Sequence, residues 1–188
     1  FLATLPGSYP QIDFVYRPHP YLLQTLRQKN VWGREKTDEF VRGLKAQPNV
    51  IWSDGGDYFR EFADSDACIQ DCGSYLVEYL YTGKPCCYML HSPTDVDAKF
   101  APLGKACLEQ CTLAYSAADI TDFVERVVLG GEDLKAASRA ALARTVMVNY
   151  PHAAQAALSA LVSALTEATS PRMFVDKISG ICYSTGEL

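Results

Sequence analysis

Ile12-Asp13-Phe14-Val15-Tyr16 is a short run of β-branched and aromatic residues, stopped at Arg17-Pro18-His19-Pro20 because neither a strand ladder nor a helix continues through two prolines. Similar apolar runs recur at Val50-Ile51-Trp52, Ala67-Cys68-Ile69-Gln70 and Pro85 to Leu90. Between them the spacing turns helical. Tyr21 to Lys29 and Glu35 to Ala46 are expected helices, the second with Phe40, Val41 and Leu44 on one face. Asp57 to Ala63 carries Tyr58, Phe59 and Phe62 as its apolar side, and Gly73 to Thr82 is a helix closed by Gly83. Short strands, apolar on both faces and alternating with helices, predict βαβ units. The expected class is α/β, a Rossmann-like parallel sheet with helices on both faces.

From Asp119 onward the pattern is helical only. Ile120, Phe123, Val124, Val127 and Val128 form one stripe before Gly130-Gly131, and Glu132-Asp133 opens a further helix with acids at its positive end. A last helix follows Tyr150-Pro151, with Ala154, Ala157, Leu158, Leu161, Val162 and Leu165 expected to face inward. The expected organisation is one domain over residues 1–168, closed by these helices, and a tail over 169–188 without clear periodicity.

With 48% apolar and 21% charged residues among 188, the chain has the balance of a globular domain able to bury a core. The net charge is -5 and the 17 basic residues are scattered, which argues against a nucleic-acid partner. No stretch approaches the ~20 consecutive apolar residues of a membrane span. A first residue that is Phe rather than Met suggests a piece of a longer chain. The seven cysteines include two C-x3-C pairs, Cys68/Cys72 and Cys107/Cys111, which would hold a metal only if the pairs met in space. They are expected instead to act as small buried hydrophobes, and free thiols point to the cytoplasm.

In a parallel sheet, ligands bind beyond the carboxyl ends of the strands, where helix N-termini present free N–H groups. Three loops lie at such ends: Arg17-Pro18-His19-Pro20, Ser53-Asp54-Gly55-Gly56 and Asp71-Cys72-Gly73-Ser74. In the third, Gly73 admits a close backbone approach. Ser74 is expected to cap the helix and offer its hydroxyl to a phosphate, and Glu78, one turn on, to reach sugar hydroxyls. Arg17 and His19 are expected to grip a pyrophosphate from the first loop, with His19 also a candidate acid toward the leaving phosphate. Ser53 and Asp54 are candidate walls of a nucleobase pocket. For each feature the plain alternative is capping, a solvated helix face or an ordinary turn; two anion sites on neighbouring strand ends favour the nucleotide reading.

The succession Phe14-Val15-Tyr16-Arg17-Pro18-His19-Pro20, then Asn49 to Asp54, then Ala63 to Pro85 resembles the C-terminal domain of CDP-glycerol glycerophosphotransferases over roughly residues 12 to 90. The shared pattern is a strand ending in R-P-H-P followed by the run through Asp71-Cys72-Gly73-Ser74. This chain has Gly73 where that family has the first Ser of a pair, and Glu78 where it has Asp. The resemblance implies the C-terminal half of a GT-B fold. It implies a transferase of teichoic-acid type that moves glycerol-phosphate or a sugar from a CDP- or UDP-linked donor, without an essential metal or other cofactor. Arg17 and His19 would contact the donor diphosphate, Gly73 and Ser74 its phosphates, and Glu78 the ribose. The general base and the polymer or lipid-linked acceptor would belong to a preceding domain, in a cytoplasmic protein associated peripherally with the inner face of the membrane. The Gly73 and Glu78 variants also fit a nucleotide-sugar 2-epimerase, and a non-catalytic GT-B-like binding module is the reading from a different class.

Overall fold

The computed structural model describes residues 1–169, 173–175 and 182–184, and the chain divides into two compact units, Phe1–Ala143 and Arg144–Leu188. The first unit alternates helices and strands: α1 (Leu5–Ser8), β1 (Phe14–Tyr16), α2 (Leu22–Leu26), α3 (Arg34–Lys45), β2 (Val50–Trp52), α4 (Tyr58–Asp64), β3 (Cys68–Gln70), α5 (Gly73–Leu80), β4 (Cys86–Met89), α6 (Asp95–Lys99), α7 (Pro102–Leu108), β5 (Thr112–Ala114) and α8 (Ala117–Asp122). The α/β class with parallel strands stands.

The strands form two short sheets rather than the single sheet expected. β1 pairs with β2 in parallel, Phe14 opposite Val50 and Tyr16 opposite Trp52. A second parallel sheet runs β3-β4-β5, with Cys68 opposite Cys86 and Cys87 opposite Thr112. Strands this short supply few ladder bonds, so side-chain packing joins the sheets. Phe14 of β1 packs into the same apolar cluster as Ile69, Cys87, Met89 and Ala114, closed by Leu5, Tyr9, Ile120, Phe123 and Val124. Alternation puts Cys68, Gln70, Cys86 and Tyr88 on the opposite face of the second sheet, where buried Tyr79 of α5 sits near Cys68 and Cys86.

Helices α3 and α5 bury the face their spacing dictates. In α3, Thr37, Phe40 and Leu44 line one side; Phe40 meets Tyr16 edge-on at 6.2 Å and Leu44 is fully buried. In α5, Leu76, Tyr79 and Leu80 are buried, and Gly83 ends the helix at φ 72°, a left-handed value glycine adopts at little cost. Asp57 caps α4 by accepting from the Phe59 N–H at 3.0 Å. Ser116 and Asp119 form a reciprocal capping box on α8.

The expected helix over Ile120 to Val128 begins as α8 but continues as a π-helical stretch over Phe123–Leu129, whose wider turn shows in the Gly130 N–H bonding Glu125 O at 2.9 Å. A Cβ on Gly130 would lie 2.6 Å from Arg126 O, so glycine is required there. The helix expected to open at Glu132-Asp133 starts at Ala136 instead, as α9 (Ala136–Val146). Asp133 is drawn into an ion pair with Arg139, a buried cation whose Nε also donates to Gly83 O at 2.9 Å.

The chain ahead of β1 is tied down by Asn49, whose buried side-chain amide donates to Pro6 O (3.0 Å), Tyr9 O (3.1 Å) and Ile12 O (2.9 Å). Tyr9 in turn donates from its hydroxyl to Glu125 Oε1 at 3.0 Å; burial, then this carboxylate, push its phenol pKa up.

Two apolar surfaces depart from expectation. On β1 and β2, Val15 and Ile51 are 47% and 55% exposed, so one face of that sheet is uncovered. In the second unit, α10 (Ala153–Thr169) forms after Pro151, but Leu158, Leu161, Val162 and Leu165 are exposed rather than inward. A stripe's period locates apolar surface and does not supply its cover. Most of the tail over 169–188 lies outside the described residues; within it Met173–Val175 and Cys182–Ser184 pair antiparallel.

Candidate functional site

Because β1 and β2 run parallel in register, their carboxyl ends deliver Arg17 and Ser53 side by side. Arg17 Nη1 donates to Ser53 Oγ (3.1 Å), Gly55 O (3.4 Å) and Glu61 Oε1 (3.0 Å), and Nη2 donates to Gly56 O at 2.9 Å. Ser53 Oγ donates to the same Glu61 oxygen at 2.5 Å. The guanidinium also lies 5.5 Å from the centre of the Tyr58 ring. Partial burial works against its charge, but the Glu61 carboxylate more than reverses this and raises the Arg17 pKa.

The third loop joins the same cluster through α5. Tyr75, in the first turn of α5, interacts with Arg17 and packs on Tyr58 at 4.9 Å and on Phe62 at 5.1 Å. Gly73 is the first helical residue, with open space where a Cβ would stand. The N-cap position belongs to Cys72, not to Ser74 as expected; Ser74 lies one residue inside the helix, exposed, its Oγ 3.3 Å from Cys72 Sγ. The N–H groups of this first turn point out of the helix, where the dipole favours negative charge. Asp71 opposes that field just ahead of the turn. Its backbone carbonyl accepts from Tyr88 Oη at 2.9 Å. Burial pushes the Tyr88 phenol up to about 12 and also raises Tyr16, and the Asp71 carboxylate adds to both shifts. Asp71 thus lies within electrostatic reach of the ends of β1 and β4.

Glu78 turns its carboxylate toward α4. It lies near the Tyr58 hydroxyl, whose pKa is raised by desolvation first and by Glu78 second. Glu78 Oε2 is enclosed and finds no hydrogen-bond partner among the described residues. His19 is exposed: its Nδ1 accepts from the Tyr21 N–H at 3.2 Å and its ring lies 5.7 Å from that of Tyr21. Asp54 is exposed and accepts from Trp52 Nε1.

The structure therefore brings Arg17, Ser53 and Glu78 into one cluster with the start of α5, while the contacts of His19 and Asp54 are to their own loops. Tyr58, Glu61 and Tyr75 complete the cluster, and the sequence reading missed them as site residues. Tyr58 reads only as part of an apolar helix face, and Tyr75 and Glu61 carry no role in that reading. The one signal for Glu61 was an acid on the helix that directly follows the Ser53 loop, facing a strand that ends in Arg.

A half-enclosed cavity of about 170 Å³ opens elsewhere, at the amino ends of β4 and β5, lined by Pro85, Cys86, Thr112, Arg126, Asp133 and Arg139 among others. Its arginines are neutralised in pairs, Arg126 with Glu132 and Arg139 with Asp133, and it lies at the amino ends of these strands rather than at their carboxyl ends. The carboxyl-end cluster is the stronger candidate. Among the described residues no group of three or more His, Cys, Asp or Glu side chains is placed to hold a metal ion, and no helix is long and apolar enough to cross a membrane. Set against known protein families, curated proteins and solved structures, the chain matches none of them.

Proposed function

We propose that this chain is the donor-binding half of a GT-B transferase that takes a CDP- or UDP-linked donor and passes glycerol-phosphate or a sugar to a polymer or lipid-linked acceptor held by a preceding domain. The observation that carries the reading is the meeting of three strand-end loops at one edge, through Arg17, Ser53 and Tyr75, beside an open helix start at Gly73. A diphosphate would lie over the Gly73-Ser74 turn and be held by backbone N–H groups and the Ser74 hydroxyl, with His19 approaching from the first loop. Charge building on the leaving nucleotide would be met by that helix terminus. Glu78 is reached by a ribose only if its carboxylate turns away from Tyr58.

Within this reading the piece binds rather than catalyses by itself. Arg17 and Glu78 are both engaged inside the cluster, which also favours the non-catalytic GT-B-like module as second reading. Calorimetry of the chain with CDP, UDP and CDP-glycerol tests both. Binding to at least one is expected. Ser74→Ala should weaken it by about 1 kcal/mol, roughly fivefold, for one neutral hydrogen bond. No heat with any of the three refutes the nucleotide site. Transfer and epimerisation are separated by products, because only transfer requires an acceptor.

A further inference from the structure

We propose that Arg17 and Glu61 form a latch that gives the 53–56 loop its shape, and that Arg17 serves the nucleotide site as a positioning residue through that loop rather than as a ligand to phosphate. The second half of this inference rests on the nucleotide reading; the latch itself does not.

Gly55 and Gly56 hold φ values of 143° and 83°, conformations that glycine adopts and that leave a free loop with many alternatives. Order must be imposed from outside. Both glycine carbonyls turn toward Arg17 and accept from it, and Ser53 closes the ring by bonding Arg17 and Glu61 together. The planar fork suits this role, because its two terminal nitrogens donate in different directions at fixed angles, serving Ser53, Gly55 and Glu61 with one and Gly56 with the other. Lysine has charge but no fork. Glu61 supplies the counter-charge that lets a guanidinium with only 18% of its side chain exposed sit under the loop. A phosphate could claim Arg17 only by displacing this whole set of acceptors, and the loop would lose its anchor as it did so.

Hydrogen–deuterium exchange on the free chain, combined with calorimetry against cytidine and CDP, tests the proposal in Arg17→Lys and Glu61→Ala variants. The latch predicts that exchange of the Ser53 N–H, which donates to Tyr16 O at 3.0 Å, accelerates about tenfold or more in both variants, with the far side of the unit unchanged. Lysine should fail to rescue. Positioning predicts that Arg17→Lys weakens cytidine and CDP by the same factor, because the loop and not the phosphate contact has been lost. If Arg17 is instead a phosphate ligand, CDP alone weakens and cytidine is untouched, which overturns the positioning role. Unchanged exchange in both variants overturns the latch. If the unaltered chain binds neither ligand, the nucleotide reading and the positioning role fall together, while the exchange result still decides the latch.

Discussion

Replacing Asn49 by alanine removes a donor group from the place where the chain ahead of β1 is fastened to the sheet. The side-chain amide carries two hydrogens and faces three backbone carbonyls, those of Pro6, Tyr9 and Ile12, at a site only 7% exposed. In the alanine variant Ile12 O loses its donor, while Pro6 O and Tyr9 O keep the backbone N–H groups of Tyr9 and Ile12. At about 1–3 kcal/mol for the one orphaned carbonyl, the expected loss is about 2 kcal/mol, or on the order of 5 °C in melting temperature for a chain of this size. Asn49→Asp sharpens the test: it keeps the shape but sets carboxylate oxygens against carbonyl oxygens, so it should cost more than alanine at neutral pH. Its deficit should narrow on acidification, because protonation restores one donor and the folded state then favours the protonated form. Equilibrium urea unfolding at pH 7 and pH 5 reads both effects, with an unchanged denaturant slope showing that the same structure unfolds. An alanine variant within about 0.5 kcal/mol of the parent, ordinary for a surface change, or an aspartate variant more stable than alanine at neutral pH, would refute the reasoning.

Lys84→Met should lower stability by about 1–3 kcal/mol in the same assay, because Lys84 Nζ donates to the carbonyls of Phe62, Ala63 and Ser65 at the end of α4. On acid titration the melting temperature should fall below about pH 4, the ordinary aspartate range. Asp119, held down by the Tyr115 and Ser116 N–H groups and the Ser116 hydroxyl, and Asp95 and Asp97, held down by Lys99 and Lys105, all have lowered pKa values. Their stabilisation is present above the unfolded-state pKa and lost as pH drops through the folded one, so Asp119→Asn should flatten that slope in a pH series of thermal melts. In thiol titration with a disulfide reagent, Cys86, Cys87, Cys107 and Cys111 should stay silent until the chain is unfolded. All four are buried, and burial pushes the Cys87 thiol up to about 12; fast labelling of any of them in the native state would contradict the packing.

Much of the first unit was legible because its signals are local. Pro18 and Pro20 end β1, Gly83 ends α5, and the spacing of Leu76, Tyr79 and Leu80 fixes which side of α5 is buried. β5 was missed because Thr112-Leu113-Ala114 is too short to show a period, and α6 and α7 because neither extends far enough to repeat a stripe. The single-sheet expectation failed for a related reason: alternation marks strands but says nothing about whether β1 reaches β3 by ladder or by side chains. At the site, Arg17 and Ser53 were found as residues that follow strands. Their mutual bond, and the choice of Glu61 as shared partner, depend on β1 and β2 being neighbours in register, which no local pattern encodes. The inward placing of Leu158 and Leu161 rested on period alone, and the period was right while the placing was not.

The π-helical stretch over Phe123–Leu129 makes chain length, rather than side-chain identity, the sensitive variable in that segment. Removing one residue there would let the wide turn relax to ordinary α-geometry while rotating everything beyond it by about 100°. Glu125 would swing off the Tyr9 hydroxyl, and Glu132 off Arg126. Single-residue deletions across 123–129 should therefore damage the unit more than most conservative replacements at the same positions, a contrast that a paired deletion and substitution scan would expose directly.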